Sequence, residues 1–137
     1  MRPNSLALIF KNNNSEILLG KGKDTTRNLS FYRPLGGGIE FGETSLVTLK
    51  REIKEEIGGS LKNEKLLTVY ENIFEYNSTK MHEINFIYKA ELNEDHLLNA
   101  KLIPILDKKD RYAEWMSVAD IKSGKIKVFP EECLKFI

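Results

Sequence analysis

The chain is poor in the features that would place it outside the cell, in a membrane or along a nucleic acid. Its 137 residues include one cysteine, Cys133, so no internal disulfide can form, and the composition fits a reducing compartment. Cys133 itself reads as an inert thiol in a C-terminal helix, because no basic partner is evident nearby. With 21 basic and 20 acidic residues the formal net charge is +1, which argues against a general polyanion binder and against an acidic tail protein. Any phosphate recognition must therefore be local. The first apolar run, residues 6–10, is far too short for a secretory core or a membrane span. No repeat, low-complexity tract or linker interrupts the chain, and no EF-hand spacing is present, which removes a Ca2+ module of that kind. The expected setting is the cytoplasm, with no membrane and no nucleic acid polymer as partner. An apolar content of 41% over this length supports one core and is too little for two, so residues 1–137 are expected to form a single domain.

Local patterns give a coarse order of elements. Residues 5–10 and 16–20 are apolar runs separated by the polar Lys11, Asn12, Asn13, Asn14 and Ser15, a hairpin signature. Residues 21–28 read as a loop, and residues 29–33 as a short strand ended by Pro34. Residues 65–76 and 81–92 are rich in β-branched and aromatic side chains and are joined by a polar turn, which predicts a second hairpin. Residues 94–99 suit a short helix, residues 102–110 carry no clear pattern, and residues 113–116 suit a strand. Ser117 is placed to cap a short helix that Gly124 ends, and residues 131–137 read as a terminal helix. Two hairpins with intervening helices predict an α/β fold in which helices cover both faces of a mixed β-sheet, an α/β/α sandwich.

The strongest pattern lies in residues 37–59, GGIEFGETSLVTLKREIKEEIGG, where a glycine turn runs into a helix. At about 100° per residue, Leu46, Leu49, Ile53 and Ile57 share one stripe, and Glu52, Glu55 and Glu56 share the next. Like charges three and four apart cost a bare helix about 0.2–0.5 kcal/mol per pair, a cost that a bound cation would offset. Hard ions such as Mg2+ take carboxylate oxygens and substrate phosphates. The acidic stripe is therefore a candidate metal site. Ser45 and Thr48 stand on the same side and, being small, are expected to leave room for a ligand. Glu43 reads as a cap at the helix entrance, where the exposed N–H groups favour a carboxylate.

This segment resembles the Nudix box: Gly, five residues, Glu, seven residues, Arg-Glu, an aliphatic, any residue, Glu-Glu, any residue, Gly, an aliphatic. Gly37, Glu43, Arg51, Glu52, Ile53, Glu55, Glu56 and Gly58 fit, whereas Gly59 stands at the final aliphatic position and reads as a looser helix exit. The resemblance implies the same sandwich fold and a single Nudix hydrolase domain. It also implies Mg2+-dependent hydrolysis of a pyrophosphate bond in a nucleoside diphosphate linked to another moiety, with Mn2+ as a substitute ion. Nucleoside triphosphates, ADP-ribose and nucleotide sugars are the substrate classes it leaves open. On that reading Glu52, Glu55, Glu56, Arg51 and Glu43 form the catalytic set, and Glu52, Glu55, Glu56 and Gly37 lie at the metal. Arg51 would fix the carboxylates by a salt bridge, and Glu52 is a candidate general base. Dimers are frequent in the family, so a homodimer is one expected assembly.

Residues outside the box are less determined by pattern. Arg33 is a candidate phosphate contact, and Glu83, Asp107, Asp110 and Glu114 are candidate further ligands or bases, with Arg33, Glu83 and Asp110 carried forward as substrate residues. Phe31, Tyr32, Phe74, Tyr76 and Phe129 are able to stack on a base, although aromatics in strands more often fill cores. His82 and His96 do not suit a hard-ion site. The rival reading is a nucleotide sensor without catalysis, which an intact set of box acids disfavours.

Overall fold

The computed structural model describes residues 1–24, 26 and 28–137. Strand β1 (Arg2–Lys11) lies in the middle of the sheet, and its alternation explains the layers. Leu6, Leu8 and Phe10 enter one core, and Ala7 and Ile9 enter the other on the opposite face, as the period of two in a strand requires. A strand apolar on both faces must be covered on both. The remaining strands are β2 (Glu16–Asp24), β3 (Leu29–Arg33), β4 (Leu35–Gly38), β5 (Leu61–Tyr76), β6 (Thr79–Leu92), β7 (Leu102–Pro104) and β8 (Tyr112–Ser117). They form one mixed sheet in the order β5-β6-β1-β2-β8-β7, with β3 beside β2 and β4 beside β1.

Helix α1 (Ser45–Ile57) and the one-turn α2 (Asp95–Leu98) cover the first face through Leu49, Ile53, Ile57 and Leu97. Helix α3 (Val118–Lys122) and a 3-10 helix over Glu131–Phe136 cover the second through Val118, Ile121 and Cys133. The α/β/α layering expected from the sequence is thus present. None of the described helices is long and apolar enough to cross a membrane.

Several local expectations change. β2 continues through Asp24, because its second half pairs with β3, so only the end of the expected 21–28 loop is left outside a strand. Thr25 and Arg27 of that loop lie outside the described residues. The glycines before the box form strand β4, paired with β1 from Asn4↔Gly38 to Ala7↔Leu35. The expected C-terminal helix is present in the 3-10 form over Glu131–Phe136, and it buries the Cys133 thiol, whose pKa burial pushes up to about 12. In the turn between β5 and β6, Asn77 and Ser78 both have positive φ (49° and 67°), the conformation of a tight two-residue hairpin.

The site is positioned by one feature of this topology. β1 pairs with β2 only over Ile9–Lys11, and its first half pairs instead with β4 on one edge and in parallel with β6 on the other. The start of β1 therefore brings Gly37 and Gly38 of β4 and Glu83 of β6 to one end of the sheet.

Candidate active site

Helix α1 begins at Thr44, whose hydroxyl accepts from the Val47 N–H at 3.2 Å, and ends at Gly58, which takes the left-handed conformation with φ 69°. Glu43 is therefore not the cap. Thr44 fills that role, which leaves the Glu43 carboxylate free to turn toward the helix side. It accepts from Arg51 Nε at 2.7 Å, from Arg51 Nη2 at 2.9 Å and from the Thr48 hydroxyl at 2.8 Å. These contacts, the Arg51 bond first, hold its pKa down at about 2. Thr48 is fully buried and spent on this contact, so it does not open space for a ligand as its size suggested. Ser45 is likewise engaged, its hydroxyl 2.6 Å from the Tyr88 hydroxyl.

Arg51 is the hub. Beyond Glu43, its Nη1 reaches Glu52 at 3.1 Å and Glu55 at 3.2 Å, and its Nη2 donates to the Gly38 carbonyl at 3.3 Å. A planar guanidinium with five donors can hold three carboxylates and a strand carbonyl together, which a lysine point charge cannot. Its own pKa is raised by these partners, Glu43 first.

Glu52 packs against Gly37 so closely that a Cβ there would fall 2.5 Å from the Glu52 Cδ. Burial raises the Glu52 pKa against the opposing pull of Arg51. Glu56 is deeper, 6% exposed, and accepts from the Gly36 N–H at 2.9 Å. Desolvation pushes its pKa up to about 7, with nearby Glu52 and Asp107 adding to the rise. One oxygen of Glu56 is therefore tied to the sheet.

A carboxylate from outside the helix completes the cluster. The Leu106 N–H donates to the Glu56 carbonyl at 2.7 Å, which moors the segment after β7 to the end of α1. Asp107 follows, and one oxygen each from Glu52, Glu55 and Asp107 lie within 4.8 Å of one another. An all-oxygen carboxylate set of this kind fits a hard divalent cation. Asp107 was one of four acids of comparable standing in the sequence. Only the backbone bond at Leu106 distinguishes it, and residue pattern carries no trace of that bond.

The other candidates fall elsewhere. Asp110, with positive φ 58°, lines a separate depression with Lys21, Arg111 and Glu114 and does not join the three carboxylates. Arg33 and Glu83 line a groove of about 610 Å³ between the β5–β6 hairpin and the C-terminal segment, and Phe31, Phe74, Tyr76 and Phe129 share it. Tyr32 packs against the second core instead. His82 pairs with Glu71 at 3.0 Å, and His96 is exposed, so neither meets the carboxylate cluster. Trp115 is structural, its indole N–H bonded to the Leu97 carbonyl at 3.0 Å. Gly59, where the box pattern has an aliphatic, is not a loose exit. A Cβ there would come 2.9 Å from Leu97 Cδ1 and 3.0 Å from Leu92 Cδ2, so α2 and β6 close onto the helix end.

The NUDIX domain family model matches residues 1–135. The chain belongs to the NUDIX domain family. It is accordingly a Nudix pyrophosphohydrolase. Among solved structures, the fold is similar to a MutT NUDIX hydrolase from Burkholderia pseudomallei (23% identity, 86% of this chain and 84% of that one, TM-score 0.64). It is also similar to a MutT protein from Bacillus halodurans (20% identity, 99% and 80%, TM-score 0.68) and to a NUDIX hydrolase from Nitrosomonas europaea (18%, 98% and 84%, TM-score 0.67). At these identities the likeness speaks to the fold of this Nudix domain, and the family match carries the activity.

Proposed function

We propose that this Nudix domain hydrolyses the pyrophosphate bond of a nucleoside diphosphate linked to another moiety, by attack of water on phosphorus with Mg2+ as cofactor and Mn2+ as a substitute. The observation that carries this reading is the convergence of Glu52, Glu55 and Asp107 beside the Arg51 clamp. These three carboxylates would hold the ion, with the Gly37 backbone packed against Glu52. When bound, such an ion neutralises phosphate oxygens and lowers the pKa of a bound water.

The chain's own residues supply the rest. Arg51 and Glu43 do not face outward as free charges; they orient Glu52 and Glu55, and so act as positioning residues. Glu56, whose pKa burial pushes up to about 7, is tuned to take a proton close to neutral pH, and burial raises the Glu52 carboxyl in the same direction. The groove lined by Phe31, Phe74 and Phe129 offers apolar ring surfaces to a nucleoside, and Arg33 stands in it as a donor to phosphate or base. Groove and cluster share the end of the sheet where β1 begins, an arrangement that suits one ligand reaching both.

A panel of nucleoside triphosphates, ADP-ribose and nucleotide sugars, assayed with Mg2+ for the native chain and for Glu55→Gln and Glu56→Gln, tests the proposal. Turnover of at least one compound by the native protein, lost in the variants, is expected. Tight binding with no turnover of any of them would replace the enzyme by a nucleotide sensor.

A further inference from the structure

The groove holds a charge pattern that the pyrophosphate chemistry does not use. Five glutamates and two arginines line it, an excess of acceptors in a place where a phosphate would want donors. Some of these acids are engaged: Glu71 pairs with His82 at 3.0 Å and Glu132 with Lys135 at 3.1 Å. Glu83 is different. It is 7% exposed, it lines the groove from β6, and no hydrogen bond or ion pair reaches its carboxylate among the described residues. A buried carboxylate without a partner is costly, and it persists where a ligand completes it. Beside it, Asn85 is fully buried with its Nδ2 lacking a partner, and the hydroxyl of its register partner Tyr70 also makes no hydrogen bond. Glu83 and Tyr70 thus bring unpartnered polar atoms to the groove, with Asn85 buried behind them, while its walls are aromatic, with Phe31 and Phe129 rings 5.2 Å apart between centroids.

An ionised carboxylate accepts and never donates. Its two oxygens are satisfied together by a base edge that presents two neighbouring N–H donors. Guanine has this edge, in N1–H and the N2 amino group. Adenine and cytosine place their amino group next to a ring acceptor, and uracil flanks its one N–H with two carbonyls, so each would set an acceptor against Glu83 or leave one oxygen unmet. We propose that Glu83 is the specificity-determining residue of this site and selects guanine nucleotides, with the base between the aromatic walls and its donor edge on the carboxylate. The proposal rests on the reading of the groove as the nucleoside site.

Equilibrium binding of GMP, IMP, AMP and UMP to the full chain separates this from the hydrolase reading, because it requires no turnover. IMP differs from GMP by the N2 amino group alone. GMP is expected to bind about tenfold or more tightly than IMP, and AMP and UMP more weakly still. Glu83→Gln, which keeps the shape but offers one acceptor and a donor, is expected to bring GMP to within about threefold of IMP, at a melting temperature equal to or above the native one. Equal binding of all four by the native chain, or no binding of any, overturns the proposal, as does a GMP preference that survives in Glu83→Gln. The native GMP-to-IMP ratio decides the matter even where the variant fails to fold. Guanine selectivity without hydrolysis of any guanosine diphosphate derivative would sink the enzyme reading and leave this one standing, and brisk hydrolysis with no base preference would do the reverse.

Discussion

Three neighbouring glycines, Gly36, Gly37 and Gly38, should respond to alanine in three different ways, and the middle one isolates the chemistry. At Gly37 an added Cβ would lie 2.5 Å from Glu52 Cδ, 2.6 Å from Oε1 and 2.7 Å from Oε2. Ordinary contact begins near 3.4 Å, so the carboxylate has to retreat by about 0.9 Å. The obstructing atoms are the end of a flexible side chain, and the backbone at Gly37 does not have positive φ, so folding should survive. The retreat, however, pulls Glu52 off Arg51 Nη1 at 3.1 Å and away from Glu55 and Asp107. A misplacement of about 1 Å at reacting groups costs on the order of 100-fold, equivalent to about 2.7 kcal/mol of barrier. Gly37→Ala is therefore expected to melt within about 2 °C of the native chain while kcat/KM with Mg2+ falls roughly 100-fold. Gly38→Ala, with only Asn4 Oδ1 at 3.9 Å, is the control and should be near native in both. Gly36→Ala meets the Ser5 carbonyl at 2.0 Å in a backbone with φ 141°, and should lose at least about 3 kcal/mol of stability. Thermal melts and steady-state kinetics on the three variants decide the point. A Gly37→Ala protein with native kcat/KM, or one as unstable as Gly36→Ala, would refute the placement of Glu52.

Other outcomes follow from the same geometry. Glu56 carries a pKa of about 7 in the fold against an ordinary 4.5, so the folded state holds its proton more tightly. Its contribution is fully present below about pH 4.5 and is lost as pH rises to about 7, on the order of 3 kcal/mol at roughly 1.4 kcal/mol per pH unit. Chemical denaturation of the metal-free protein should show this fall, and Glu56→Gln should flatten it; an upward slope from pH 5 to 7 in the native protein would contradict the burial argument. Glu43, with its pKa near 2, works in the opposite sense in the acid range, where its support is lost as pH falls. Asp107→Asn should raise the Mg2+ concentration for half-maximal activity about tenfold, or 1.4 kcal/mol, with little change in melting, whereas Asp110→Asn should leave that concentration unmoved. Gly59→Ala, whose Cβ meets Leu97 and Leu92 at 2.9 and 3.0 Å, should cost about 1–3 kcal/mol of stability by overpacking and leave kcat/KM per folded molecule intact.

The residue order alone determined what depends on neighbours along the chain. Helix α1, its apolar and acidic stripes, the two hairpins and the layered class all follow from periods of 3.6 and 2, which are local properties. Helical spacing also sets Arg51 beside Glu55, four residues on, whereas its hold on the other box acids is what the family resemblance implied. What the tertiary structure decided is every feature that joins distant segments. Thr44, a residue type favoured at a helix start, caps the helix, and Glu43 turns instead to Arg51, eight residues on, a partner that only the folded chain supplies. The glycines before the box became strand β4 because β1 lay open to pair with them. Asp107 enters the cluster, and Asp110 does not, through one backbone bond from Leu106 to Glu56 across fifty residues of sequence. Glu83 of β6 and Arg33 of β3 line one groove although β6 pairs with β1 and β3 with β2, so their meeting is a consequence of how the sheet is assembled and not of any spacing in the sequence.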